Sequence, residues 1–182
     1  MTFPSRRLAL ATLAVLTFLL PARPVAAAEN GQASLNDGYS LFYDFCRQES
    51  DLSLLLWFKS SPHAISDYAT RISSTAKDDM ATLKKFAASD RSLRLDRGSL
   101  PSFELAVRTS MANDRKQQLV WDSSGAAFAQ AICMTQSDVT NYGLHVAKIL
   151  SETEPDPDRA RAMGLIYKKW LALHAEAYKL SR

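Results

Sequence analysis

Glycine is scarce in this chain, six in 182 residues, and no run of β-branched residues alternates with polar ones. Both shortages argue against a sheet, whose strands and hairpins need such residues. Histidine is scarcer still: His63, His145 and His174. A di-iron or di-manganese bundle takes Glu from two helices and Glu-x-x-His from two more. The chain contains no Glu-x-x-His, and no His-x-x-x-His that would set two imidazoles on one helical face. A metal centre is therefore not expected, with His174 the one weak candidate ligand. There is no Cys-x-x-Cys, no Gly-x-Ser-x-Gly, no phosphate-binding glycine loop and no dinucleotide fingerprint, so neither a cofactor nor catalysis is expected. The acidic groups Asp78-Asp79 and Glu152-Thr153-Glu154 lack the ligand spacing of a calcium loop and read as solvated helix-surface and loop carboxylates.

What is present begins with an export signal. Arg6 and Arg7 precede an apolar run from Leu8 to Leu20, followed by Pro21, Pro24 and the small residues Ala26-Ala27-Ala28. Basic, apolar and small-residue regions in that order are a secretory signal peptide. The run is too short for the roughly 20 residues of a membrane-spanning helix. Residues 1–28 are read as the signal, with cleavage before Glu29, and the mature chain as periplasmic or secreted, with outer-membrane association left open. The general secretory route is expected. Ser5-Arg6-Arg7-Leu8-Ala9-Leu10 resembles a twin-arginine motif, but Ala9 stands where an aromatic residue is usual.

The signal also carries the excess charge. Of 22 Lys and Arg against 19 Asp and Glu, Arg6, Arg7 and Arg23 fall in the signal, leaving 19 of each sign. A neutral mature chain with interspersed charges has no electrostatic footprint for nucleic acid and none for an anionic membrane surface. No integral span is expected after cleavage.

The mature length suits one domain. Residues 29–37 read as a flexible arm, and 38–182 as an all-α domain. The first helix is expected over about 38–59, capped by Asn36 or Asp37. A second, about 62–89, has Ser61 as cap and a stripe through Ile65, Tyr68, Ala69, Ile72, Ala76, Met80, Leu83 and Ala87. Asp67, Arg71, Lys77, Asp78, Lys84 and Lys85 fall on its opposite face, an amphipathic pattern. A third helix, about 102–121, has a weaker stripe through Phe103, Ala106, Val107, Met111 and Leu119. A fourth, about 125–151, capped by Ser123 or Ser124, runs through Phe128, Ile132, Thr135, Val139, Tyr142, Val146 and Ile149. The fifth, about 157–180, is expected to bury Met163, Tyr167, Trp170, Leu171, His174 and Tyr178. Such helices joined by polar turns predict an up-and-down four- to five-helix bundle.

Three segments carry a resemblance: Tyr68–Ile72 with Leu83–Ala87, Ser124–Ala131, and Trp170–Ala177. In order and spacing they resemble the ferritin-like helical bundles of bacterial periplasmic proteins labelled outer membrane proteins, a domain of unknown function. The resemblance covers nearly all of the mature chain. It implies a ferritin-like bundle in the envelope, with no settled activity to transfer. Typical members carry an Asp-His pair in the second helix and a histidine in the fourth. Here those places fall on Thr75-Ala76 and near Thr140, and only His174 matches.

His174, beside Trp170 and Tyr178 on the last stripe, reads first as a core histidine bonded to a neighbouring helix and second as a residual ligand. Cys46 and Cys133 are the only cysteines. In an oxidising compartment they read as a disulfide closing a loop of nearly ninety residues, worth up to about 4.5 kcal/mol; the alternative is two separate buried thiols. Tyr39, Tyr43, Trp57, Phe58, Trp121 and Tyr142 lie near helix ends, where aromatics plug a bundle or anchor a partner. The functional expectation is a non-catalytic envelope binding module, its partner another envelope protein or a small ligand. The rival is a metal-dependent ferritin-like protein using carboxylates and His174.

Overall fold

The structure is a computed structural model that describes residues 31–55, 61–96, 102–119 and 125–181. The signal segment, Trp57, Phe58, Trp121 and the expected caps Ser123 and Ser124 lie outside the described residues. Within them the chain is all-helical and contains no strand. Its elements are α1 (Gly31–Glu49), α2 (Leu52–Leu55), α3 (His63–Ser89), α4 (Ser102–Gln117), α5 (Gly125–Thr153) and α6 (Pro157–Leu180).

Helix ends follow from local chemistry. Asp156 caps α6, its Oδ1 accepting from the backbone N–H groups of Asp158 (3.0 Å) and Arg159 (2.9 Å), with Pro157 pre-set for the first turn. α3 starts differently from expectation. Ser61 does not cap it: its hydroxyl pairs with that of Ser66 at 2.8 Å, and Pro62 takes the cap position with no side-chain cap bond. The flexible arm is also corrected. Helix α1 already runs from Gly31, and Leu35 and Asn36 are buried. Asn36 does not cap a helix start; its amide donates to Ser92 O (3.1 Å) and accepts from Arg94 N (2.9 Å), satisfying the loop after α3. The first helix breaks at Ser50-Asp51. There the Ser50 hydroxyl donates back to Arg47 O, and Ser53 N donates across to Ser73 Oγ on α3.

Four long helices pack together: α1 on α3 and α5, and α6 on α3 and α5. Cross-helix bonds give their directions. Asn36 meets residues 92–94 while the Glu49 carbonyl meets Ser73, so α1 and α3 are antiparallel. Tyr68 meets Leu173 and Asp90 meets Arg159, so α3 and α6 are antiparallel. Tyr39 meets Glu154 near the start of α1, so α1 and α5 also run opposite ways. Neighbours therefore alternate in direction, but α3 and α5 run the same way. The chain returns along the bundle between them, and α4 lies in that return.

The larger core cluster is built on Trp170, Tyr39, Tyr68, Phe42 and Ile72; a smaller one joins Ile65, Leu119, Phe128, Ile132 and Cys133. Two expected stripes are rotated, and on the third expected helix, α4, no described residue is buried. On α5 the buried line is Ile132, Gln136, Thr140, Gly143, Ala147 and Leu150, while Ile149 is exposed. On α6 it is Met163, Ile166, Trp170, Leu173 and Ala177, with Leu171 and Tyr178 exposed. On α4, Phe103, Val107 and Met111 face solvent, and Leu119, just beyond the helix, reaches the core.

Candidate functional site

Three carboxylates are buried among the helices, and their surroundings differ. Asp79, read from sequence as solvated, has no exposed surface. It accepts from Lys169 Nζ and, at 2.8 Å, from Trp170 Nε1. Burial pushes its carboxyl up, with the two donors pulling against it. Glu154, also read as solvated, is buried under the α5–α6 turn. Its oxygens accept from Tyr39 Oη (2.6 Å), Asp156 N (3.0 Å) and Arg159 Nη2 (3.0 Å), and Arg159 Nη1 reaches Asp90 at 2.7 Å. This network ties α1, α3 and α6 to one end of the bundle. Both corrections have one cause: a carboxylate given enough donors is tolerated inside.

Glu49 is not furnished in this way. It ends α1 with 8% of its surface exposed, and Gln136 faces it from α5 with 2%. The Gln136 side chain lies near enough to favour the ionised Glu49 carboxylate. Among the described residues, Glu49 Oε2 and Gln136 Oε1 find no partner. Burial raises the Glu49 carboxyl to about 7, while the Gln136 side chain and the charge of Arg115 on α4 act in the opposite sense. At neutral pH this side chain therefore holds a proton about half the time.

Glu49 and Gln136 line a groove of about 1010 Å³ between α1, α2, α4 and α5. Leu41, Phe45, Leu52 and Val139 give it apolar walls, and Arg108, Arg115 and Tyr142 stand at the α4–α5 side. Arg108 is fixed by Glu104 (2.7 Å) and by the Tyr142 hydroxyl (3.3 Å), and its guanidinium lies over the Tyr142 ring. A concave apolar site with a few convergent polar groups and one perturbed acid is the usual form of a small-ligand site.

The structure distributes the sequence candidates elsewhere. His63 and His145 are exposed. His174 Nδ1 donates to Ser137 O on α5 at 2.9 Å and lies 3.3 Å from Thr140 Oγ1. Among the described residues no three His, Cys, Asp or Glu side chains cluster as a metal would require. The disulfide is corrected: Cys46 and Cys133 are both free and buried, in different core clusters. Phe45 abuts Gly143, which sets Cys46 level with residues about nine places from Cys133 along α5. That is roughly 13 Å of helix, beyond the roughly 7 Å a disulfide spans. Of the aromatics, Tyr39 is buried and holds Glu154, Tyr43 carries Lys84 over its ring, and Tyr142 is engaged by Arg108.

Glu49 and Gln136 were not among the sequence candidates, although a signal existed. Glu49 falls three to four places from Phe45, Cys46 and Leu52, and Gln136 four from Ile132, so each is a polar residue on an apolar stripe.

Comparison with protein-family models, with curated proteins and with solved structures finds no match for this chain.

Proposed function

We propose that this chain is a non-catalytic, exported helical-bundle protein of the bacterial envelope that binds a small ligand in the groove floored by Glu49 and Gln136. One observation carries the reading: two nearly buried side chains that line a concave site each hold an acceptor with no partner among the described residues. Such groups are costly unless something pairs with them. The order of basic, apolar and small-residue segments before Glu29 supports export, and the described helices include none long and apolar enough to cross a membrane. A return of the chain between the parallel helices α3 and α5 is compatible with the one long crossover that ferritin-like bundles have, and this supports the proposed kinship. A role in envelope stress fits such a module.

The test is an amide chemical-shift titration of the purified protein with a set of small fragments. Shifts gathered on Glu49, Gln136, Val139 and Arg115 are the expected result. Binders that consistently shift another surface and leave these four untouched would overturn the assignment. Export is checked by N-terminal sequencing of the periplasmic protein, where a start at Glu29 is expected. Near-stoichiometric metal in that material, lost in His174→Ala, would favour the metal-dependent rival.

A further inference from the structure

We propose, resting on the groove as a ligand site, that its ligand is a small amphipathic amine whose ammonium group is held between Glu49 Oε2 and Gln136 Oε1. With Glu49 ionised, both unpartnered atoms are acceptors, so the complement is a donor group. An ammonium carries three donors and no acceptor, whereas a hydroxyl carries one. A carboxylate or phosphate would set a second negative charge beside Glu49.

The charges around the groove favour the same sign. Asp44, Asp51, Glu104 and Asp138 line it with Glu49, against Arg108 and Arg115. Arg108 is already engaged by Glu104 and Tyr142, and Asp44 by Arg47. Asp51 and Asp138 thus add to Glu49, with Arg115 opposing. The apolar walls on α1, α2 and α5 suit a hydrocarbon body, and the volume accommodates a ligand of ordinary drug size. A bare ammonium ion or a fully polar polyamine leaves those walls uncovered.

Ammonium binding needs the ionised carboxylate, so affinity is linked to Glu49 titration. Facing Glu49 are Cys46 on α1, Asp51 at the α1–α2 break, Tyr68 on α3, Arg115 on α4, and Gln136 and Asp138 on α5. With the free carboxyl titrating near 7, amine affinity rises about tenfold from pH 6 to pH 8. An alkylamine stays protonated across that range.

The experiment titrates the purified protein at pH 8 with n-hexylamine, n-hexanol and hexanoate, followed by calorimetry and amide shifts. Hexylamine should bind roughly two- to thirtyfold more tightly than hexanol, the usual gain of a charged over a neutral hydrogen bond, with hexanoate weakest. In Glu49→Gln, hexylamine should fall to the level of hexanol. Equal binding of hexanol and hexylamine to the wild-type protein overturns the amine while leaving the groove intact, as does tighter hexanoate. If none of the three moves the groove amides, the site itself fails. The wild-type series and its pH dependence decide the matter even if the variant does not fold.

Discussion

Glu49 sets up a test in which removing a charge should strengthen the protein. Its carboxyl titrates near 7 in the folded chain, against 4.5 for the ordinary group, and each unit of difference is worth about 1.4 kcal/mol. Because the folded value is the higher one, the native state keeps a proton between pH 4.5 and 7 that the unfolded chain releases. Stability therefore falls as pH rises through that window, and the whole cost, about 3 kcal/mol, is present above pH 7. Glutamine has the same shape and no proton to lose. In urea unfolding, the advantage of Glu49→Gln over the wild-type protein should grow by about 2.5 kcal/mol from pH 5 to pH 8, appearing in the midpoint with m unchanged. Asp90 does not blur the reading. The Ser92 hydroxyl and Arg159 hold it down to about 2, so its contribution is present above the ordinary carboxylate range and lost only as pH falls toward 2. A stability difference between variant and wild type that is the same at pH 5 and pH 8 would refute the reasoning.

Two further predictions concern packing. Alanine at Gly143 should gain about 1 kcal/mol of helix propensity, yet its Cβ would fall against the Phe45 ring, 2.8 Å from Cε2 and closer to Cζ and Cε1. Trp170 at 4.6 Å and Phe42 at 5.6 Å hold that ring, so Gly143→Ala should cost about 2 kcal/mol net; the cost should vanish in a Phe45→Leu background, and equal urea midpoint shifts in both backgrounds would contradict the account. Asp79→Ala strands the Trp170 indole N–H and leaves a void, costing about 3 kcal/mol, whereas Asp79→Asn keeps an acceptor for Trp170 and should cost about 1 kcal/mol; thermal unfolding that ranks the two alike would count against Trp170 as the partner that matters.

Local signals in the sequence located α6 well, because Asp156 and Pro157 form a cap that needs no tertiary help. The α3 stripe was legible for the same reason: one face is charged at Asp67, Arg71, Lys77 and Lys84, and its opposite is apolar. On α5 the signal failed. That helix carries apolar residues on more than one face and polar ones among them, so hydrophobicity alone does not choose between the line through Tyr142 and Ile149 and the line through Gly143 and Leu150. The choice is made by the close approach of Phe45 to Gly143, a contact between residues about a hundred places apart. For Asp79 and Glu154, charge by itself points to solvation. Each is made internal by donors that charge alone does not reveal: distant Trp170 and Lys169 for one, distant Tyr39 and nearby Arg159 for the other. The floor of the groove was half-written, as polar residues on apolar stripes. That Glu49 and Gln136 meet depends on α1 and α5 being antiparallel neighbours, which no local pattern fixes.

Glu154 and Asp79 on one side, and Glu49 on the other, separate fold from function by sign. Glu154 has three donors from three residues, and Asp79 has two from α6. Removing either carboxylate leaves buried donors stranded, so the folded state depends on both. Glu49 has a single neighbouring amide and an unsatisfied oxygen, so its removal should relieve the folded state at neutral pH. Ionised at neutral pH, this buried acid costs about 3 kcal/mol, within a total stability typically of about 5–15 kcal/mol. Stability alone would have replaced it with glutamine or leucine. Under the proposed function, an ammonium reaching Glu49 through the groove would offset that cost by mass action.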